Sequence, residues 1–198
     1  MKLGIISDIH CNIHGLRQAL AAFDSVDEIL CLGDSINESQ FSNETISELK
    51  ARAAHVILGN HEEAFLSSAG GRARDDNGID RALLAWLADQ PLRRTLNVGG
   101  RKLLMVHSTP WEPRGEYVFP HSARLERFAE ADADFVLYGH THAQVVRRVG
   151  RVLVINPGSA GEATYDSGNW QLSCAILDTV TDEVERIGFP DPRYAEHA

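Results

Sequence analysis

The chain is predicted to be an α/β protein. Three observations carry this: short apolar runs bounded by Gly, Asp or Asn recur along it, helical patterns separate several of them, and the last stretch has two strand-like runs with no helix between. The first run, 3–6, is brief, rich in branched residues and stopped by Ser7 and Asp8, the mark of a buried strand. Asn12 then offers an N-cap, and Ile13, Leu16, Leu20 and Phe23 fall on one helical face. Runs at 29–32 and 56–58 predict further strands, with a helix over 43–54 (Ile46, Leu49, Ala53) between them.

Residues 62–96 break this rhythm. The polar, glycine-bearing stretch from Gly70 and Gly71 to Asn77 and Gly78 is expected to be a long, mobile surface loop, followed by a helix over 79–88 whose Leu83, Trp86 and Leu87 face the core. Arg93, Arg94, Arg101 and Lys102 read as solvated faces around a strand. Strands at 103–106, 135–138 and 152–155 come next, with a helix over 122–131 (Leu125, Phe128, Ala129) after the first of them. The two runs within 170–189 close the chain as antiparallel strands. Too little chain lies on either side of the insertion for two cores, so one domain spanning 1–198 is expected.

Charge and cysteine usage exclude several functions. Nineteen Lys and Arg against 28 Asp and Glu leave −9 at pH 7, a balance that repels phosphate backbones and anionic lipid surfaces and argues against general nucleic-acid or membrane binding. No stretch approaches the roughly 18 apolar residues of a membrane span. The three cysteines, Cys11, Cys31 and Cys174, are far apart and form no CxxC pair, which fits a reducing cytoplasm. Oligomeric state is not legible.

The residues just beyond each strand are more informative. Their order is Asp8-Ile-His10, Gly33-Asp34, Gly59-Asn60-His61, His107-Ser108, then Gly139-His140-Thr-His142. In an α/β sheet the carboxyl ends of the strands share one rim, so these residues converge. Five histidines gathered without a cation would repel or starve one another of partners. Neutral imidazoles mixed with carboxylates suit Mn, Fe or Zn, and their number exceeds what one ion accepts. Phosphoryl hydrolysis is the chemistry that a pair of ions serves best.

In this order, and with Glu62 after His61, Thr109-Pro110 near His107 and Asn156-Pro157-Gly158-Ser159 at the end, the set resembles the calcineurin-like metallophosphoesterases, within them the small bacterial and archaeal phosphodiesterase branch. That resemblance implies a four-layer αββα sandwich with a dinuclear metal site at the carboxyl ends of the strands. It also implies that Asp8, His10 and His142 hold one ion, that Asn60, His107 and His140 hold the other, that Asp34 bridges them, and that His61 is the catalytic histidine outside the metal shell. The implied cofactor is two divalent metal ions, manganese first, with Fe, Zn, Ni or Mg as alternatives. The implied reaction is hydrolysis of a small phosphodiester or nucleotide-type substrate by a metal-bound hydroxide, with His61 protonating the leaving alkoxide or orienting it.

Three departures bear on the substrate. Cys11 stands where the family usually has Gly and reads as a small side chain rather than an oxidation point. Ser108 replaces the usual Gly and would narrow access. Ser-Ile-Asn37 follows Asp34 in place of an Asp-Arg-Gly signature, which weakens a phosphoprotein substrate. The alternatives are a phosphomonoesterase or phosphoprotein phosphatase, a dinucleoside polyphosphate hydrolase, and a non-catalytic scaffold of the same fold; the retention of every ligand position favours catalysis. His14, His55 and His197 read as surface or packing residues. Trp111, Arg114, Tyr117 and His121 form either a substrate wall or a plain surface loop.

Overall fold

The computed structural model describes residues 1–112, 115–166 and 168–197; Arg114 lies outside them. The elements run β1 (Lys2–Ile6), α1 (Ile13–Ala22), β2 (Glu28–Cys31), α2 (Asn43–Ala51), β3 (His55–Val56), α3 (Asn60–Leu66), α4 (Gly71–Arg74), α5 (Arg81–Ala88), β4 (Arg93–Val98) and β5 (Arg101–Val106). A 3-10 helix (Ala123–Glu130) leads to β6 (Phe135–Leu137), β7 (Val145–Val149), β8 (Val152–Asn156), β9 (Thr164–Asp166), β10 (Asn169–Asp178) and β11 (Val184–Pro190).

Two sheets face each other. The first is ordered β11-β10-β1-β2-β3 with β9 added beside β10, and the second β4-β5-β6-β8-β7. β1, β2 and β3 pair in parallel, as do β5, β6 and β8, whereas β10 runs antiparallel to β1 and β11 to β10. Strand alternation assigns each side chain to a layer. Leu3, Ile5 and Leu30 meet Leu103, Phe135 and Leu153 between the sheets. Their neighbours Ile6, Cys31 and Val56 turn outward against Leu16, Leu20, Leu49 and Phe65 of the helices. On the far side Leu104, Val136 and Val154 pack against Leu125 and Phe128 of the 3-10 helix. At about 1.5–3 kcal/mol per fully buried large apolar side chain, these three cores are what hold the four αββα layers together.

The helices begin where the sequence indicates. Asn12 Oδ1 accepts the Gly15 N–H at 3.0 Å, and the same side chain donates to the Gly161 carbonyl, so the cap of α1 also ties it to the loop between β8 and β9. Ser42 and Asp80 cap α2 and α5 in the same way.

Four expectations need correction. The stretch between His61 and the helix expected over 79–88 is not a long loop: α3, a 3-10 turn (Ser68–Gly70) and α4 occupy most of it, and α5 is the expected helix. Arg74 donates to the carbonyls of Phe65 and Ser67, Arg81 donates to that of Arg74, and Asn43 grips both Gly78 O and Asp80 N. The polar residues that suggest mobility in the sequence thus satisfy one another's backbone, while Phe65, Ile79 and Leu87 are buried. Second, 122–131 forms a 3-10 helix rather than an α-helix, and α2 ends at Ala51 before a left-handed Ala53. Third, of the run at 56–58 only Val56 pairs as a strand, together with His55 before it. Fourth, β7 lacks an apolar run because its three central residues are exposed on a sheet edge. Among the described residues, no helix is long and apolar enough to cross a membrane.

Candidate metal centre

Every predicted site residue lies just beyond the carboxyl end of a parallel strand. Asp8 and His10 follow β1, Asp34 follows β2, Asn60 and His61 open α3 after β3, His107 follows β5, and His140 and His142 follow β6. The chain turns sharply at each place. Asp8, His10, Asp34, His140 and His142 all have left-handed backbone, with φ of 54°, 47°, 52°, 67° and 55°. Non-glycine residues adopt this region at a cost of order 1–3 kcal/mol each, so the strain sits on the side chains that carry the chemistry. Surrounding bonds hold it: Ser159 Oγ donates to Asp8 O at 2.7 Å, His10 N to Asp34 O at 2.9 Å, and Asn156 Nδ2 to Gly139 O at 2.7 Å. Gly59 serves by its lack of bulk, since a Cβ there would lie 2.2 Å from Asp34 Oδ1.

The side chains converge into three overlapping groups whose potential ligand atoms lie within 4.8 Å of one another: Asp8, His10 and His142; Asp34, His107 and His140; and His10, Asp34 and His61. Asn60 Oδ1 is 3.0 Å from His107 Nε2, which brings Asn60 into the second group. Asp34 belongs to two of the three groups and is almost fully buried. His61 is not set apart from the cluster: its Nε2 is 3.9 Å from Asp34 Oδ2 and its ring packs edge-on against His10.

Outer contacts fix which ring nitrogens face inward. The Leu32 carbonyl accepts from His107 Nδ1 at 2.7 Å, leaving Nε2 toward Asp34 Oδ2 at 3.1 Å. Asn37 Oδ1 sits 3.2 Å from His10 Nδ1, which turns His10 Nε2 to within 3.2 Å of His142 Nε2. The Glu38 N–H donates to His61 Nδ1 at 3.1 Å, so the proton of neutral His61 is on Nε2.

The charge balance is that of a site built around a cation. Burial would lower His107, but the adjacent Asp34 carboxylate overrides it and pushes the imidazole up to about 10. Burial opposes the Asp34 charge, yet the same His107 contact and the His61 N–H pull Asp34 down to about 2. Burial and the His107 charge press His140 down to about 4, and its Nε2 is buried with no hydrogen-bond partner among the described residues. An orphaned imidazole nitrogen and two Nε2 atoms 3.2 Å apart beside carboxylates are poorly satisfied without a positive ion. The donor set therefore fits divalent metal.

Sequence reasoning assigns no role to Glu62, which the structure places at the centre of the support. Its fully buried carboxylate accepts the N–H groups of Asp34, Ser35, Ile36 and Gly59 at 2.6–3.2 Å. Its place one residue after His61 is the available signal. Asn37 has no pattern around it that could mark it. Cys11 behaves as the small side chain expected: its thiol donates to Gln40 O, and burial pushes it up to about 11. Ser108 is buried and donates to Glu116 O, anchoring the following segment. Tyr117 reaches the cleft, whose other walls include Asn37, Thr141 and Glu162. Trp111 packs instead against Phe128. His14 is exposed, and His55 pairs with Glu28 at 3.1 Å.

Residues 1–182 match the family model described as the calcineurin-like phosphoesterase superfamily domain. A phosphodiesterase of Methanocaldococcus jannaschii is 28% identical over 194 residues, covering 94% of this chain and 98% of the relative. A symmetrical bis(5'-nucleosyl)-tetraphosphatase of Paracidovorax citrulli is 30% identical over 151 residues, 67% of this chain and 53% of that one. Among solved structures, a hypothetical protein from Pyrococcus horikoshii superposes with a TM-score of 0.80 at 17% identity, over 98% of this chain and 90% of that one, a likeness of fold.

Proposed function

Because the chain belongs to the calcineurin-like phosphoesterase superfamily, we propose that it hydrolyses phosphodiesters with two divalent ions, manganese first among them. Asp8, His10 and His142 would hold one ion and Asn60, His107 and His140 the other, with Asp34 shared. Two of the donor groups, Asp8 with His10 and His142 and Asp34 with His107 and His140, match these sets, and the third, His10 with Asp34 and His61, links them. Such ions supply Lewis acidity to the phosphoryl oxygens and lower the pKa of water.

The chain's own residues do the rest. The left-handed turns at Asp8, Asp34 and His140 hold the donors in place before substrate arrives, so little reorganisation is needed at reaction. His61, with Nδ1 engaged by the Glu38 N–H, presents Nε2–H to the cleft. As the oxygen of water bonds to phosphorus and the ester P–O bond breaks, the proton that water gives up passes to the leaving oxygen, whose developing charge the His61 Nε2–H stabilises by hydrogen bonding while the ring stays neutral.

The observation that favours a diester is the cleft wall. Among the described residues lining it, none is Arg or Lys. A dianionic monoester wants such a partner more than a monoanionic diester does. The relative named as a phosphodiesterase, which matches over nearly its whole length, supports the same choice. With Mn²⁺ present, bis-nitrophenyl phosphate is expected to give a higher kcat/KM than nitrophenyl phosphate. A monoester preference would overturn the diesterase reading. Activity on neither, nor on a dinucleoside polyphosphate, would overturn phosphoester hydrolysis by this chain.

A further inference from the structure

A row of exposed rings leads out of the metal-ligand cluster. Tyr117 stacks on the His140 imidazole with centroids 3.9 Å apart and planes inclined by 27°. Phe119 lies 6.1 Å beyond Tyr117 at 13°, and His121 6.2 Å beyond Phe119 at 14°. Val118, between the first two, is fully buried, whereas Tyr117 and Phe119 on either side of it are exposed.

The segment is braced, which keeps the rings in place. The Tyr138 hydroxyl donates to Val118 O at 2.9 Å, Ser108 Oγ donates to Glu116 O, and the Glu116 carboxylate accepts from Trp111 Nε1 and pairs with Arg124. Tyr117 remains 55% and Phe119 41% exposed, and neither contributes to the three buried cores. Large apolar rings held rigidly in water beside a reaction centre do not serve folding, because their burial is what would stabilise the fold.

We propose that Tyr117 and Phe119 form a stacking platform for a nucleobase, so that the phosphoester held at the cluster is a short nucleotide ester. This deepens the phosphoesterase reading and rests on it. Flat aromatic faces bind bases by stacking, which a methyl or other alkyl substituent cannot match. The net charge of −9 and the lack of Arg or Lys among the described cleft residues disfavour a long polyanion, which leaves a short ester.

The test compares two diesters with one leaving group, the nitrophenyl ester of thymidine 5'-monophosphate and methyl nitrophenyl phosphate, on the Mn²⁺-loaded enzyme. Wild type is expected to favour the nucleoside ester by about tenfold or more in kcat/KM, mostly through KM. That ratio should collapse toward unity in Phe119→Leu and Tyr117→Leu and persist in Phe119→Tyr, which keeps a ring. No preference in wild type, or a preference that survives both leucine variants, overturns the platform. If neither ester is hydrolysed the phosphoesterase reading fails, and calorimetry still decides the platform: thymidine monophosphate binding no tighter than methyl phosphate overturns it.

Discussion

Glu62 Oε2 accepts the backbone N–H of Asp34 at 2.8 Å, so a carboxylate that never enters the cleft sets the position of the residue shared between two donor groups. Burial and the Asp34 charge push Glu62 up to about 7, against four N–H donors that favour its charged form. In Glu62→Gln one face of the amide must turn N–H groups toward N–H groups. The expected loss is about 3 kcal/mol, and at about 2–4 °C per kcal/mol the Tm should drop by roughly 6–12 °C. Calorimetric melting measures it; a Tm within a degree of wild type would remove Glu62 from the supporting role.

Asp34→Asn should reduce metal content at both donor groups, whereas His10→Ala should weaken chiefly one. On the proposed assignment the carboxylate would supply negative charge to two dications, and the amide would remove that charge. Elemental analysis after gel filtration reads the stoichiometry. Two tightly held ions per chain in Asp34→Asn would show that Asp34 is not shared.

His61→Gln should retain metal and lose rate, by about 10² to 10⁴-fold if Nε2–H stabilises the leaving oxygen as the P–O bond breaks. The loss should be smaller for nitrophenolate leaving groups than for alkyl alkoxides, which need the proton more. Because His61 also lies within the ligand cluster, metal analysis of the variant separates proton transfer from coordination. Lost metal would make His61 a ligand; equal rate losses on both leaving groups would make it a positioning residue.

At the end of the sandwich away from the cleft, Asp182 pairs with Arg101 and with Arg148 at 2.6 Å, joining the β10–β11 turn to β5 and β7 of the other sheet. The hydrogen bond from Arg101, and then that from Arg148, hold its carboxyl below the usual carboxylate range. A lowered folded pKa contributes stability above the unfolded value of about 3.9 that is lost as pH falls through the folded value. Asp182→Asn should therefore lower the urea midpoint at pH 7 by the equivalent of about 0.5–1 kcal/mol, keep that deficit at pH 5, and lose it toward pH 3. A deficit that does not change with pH would point to lost packing instead.

The recurring strand ends are legible because the chemistry is repeated: one His after a strand says little, and the same event at His10, His61, His107, His140 and His142 says much. The α1 start is legible through Asn12, and α2 and α5 through the apolar spacing of Ile46 and Leu49 and of Leu83 and Leu87, while the Ser42 and Asp80 caps emerge only in the structure. The stretch between His61 and α5 misleads because its arginines and glycines resemble those of a solvated loop, and only in three dimensions do Arg74 and Arg81 find the carbonyls they bind. β7 is invisible in the sequence because an edge strand can leave Val146, Arg147 and Arg148 in water.

By itself the sequence determined the αβ alternation, the donor types and their order along the chain, since hydrophobic periodicity and side-chain chemistry are local properties. Only the tertiary structure decided which donors share an ion's reach, that His61 stands among them, that Glu62 supports Asp34 from behind, and that Tyr117 and Phe119 stand in a row in water. These depend on left-handed turns at non-glycine residues, on ring orientation and on bonds between segments far apart in the chain, and no local pattern of residues encodes where such segments meet.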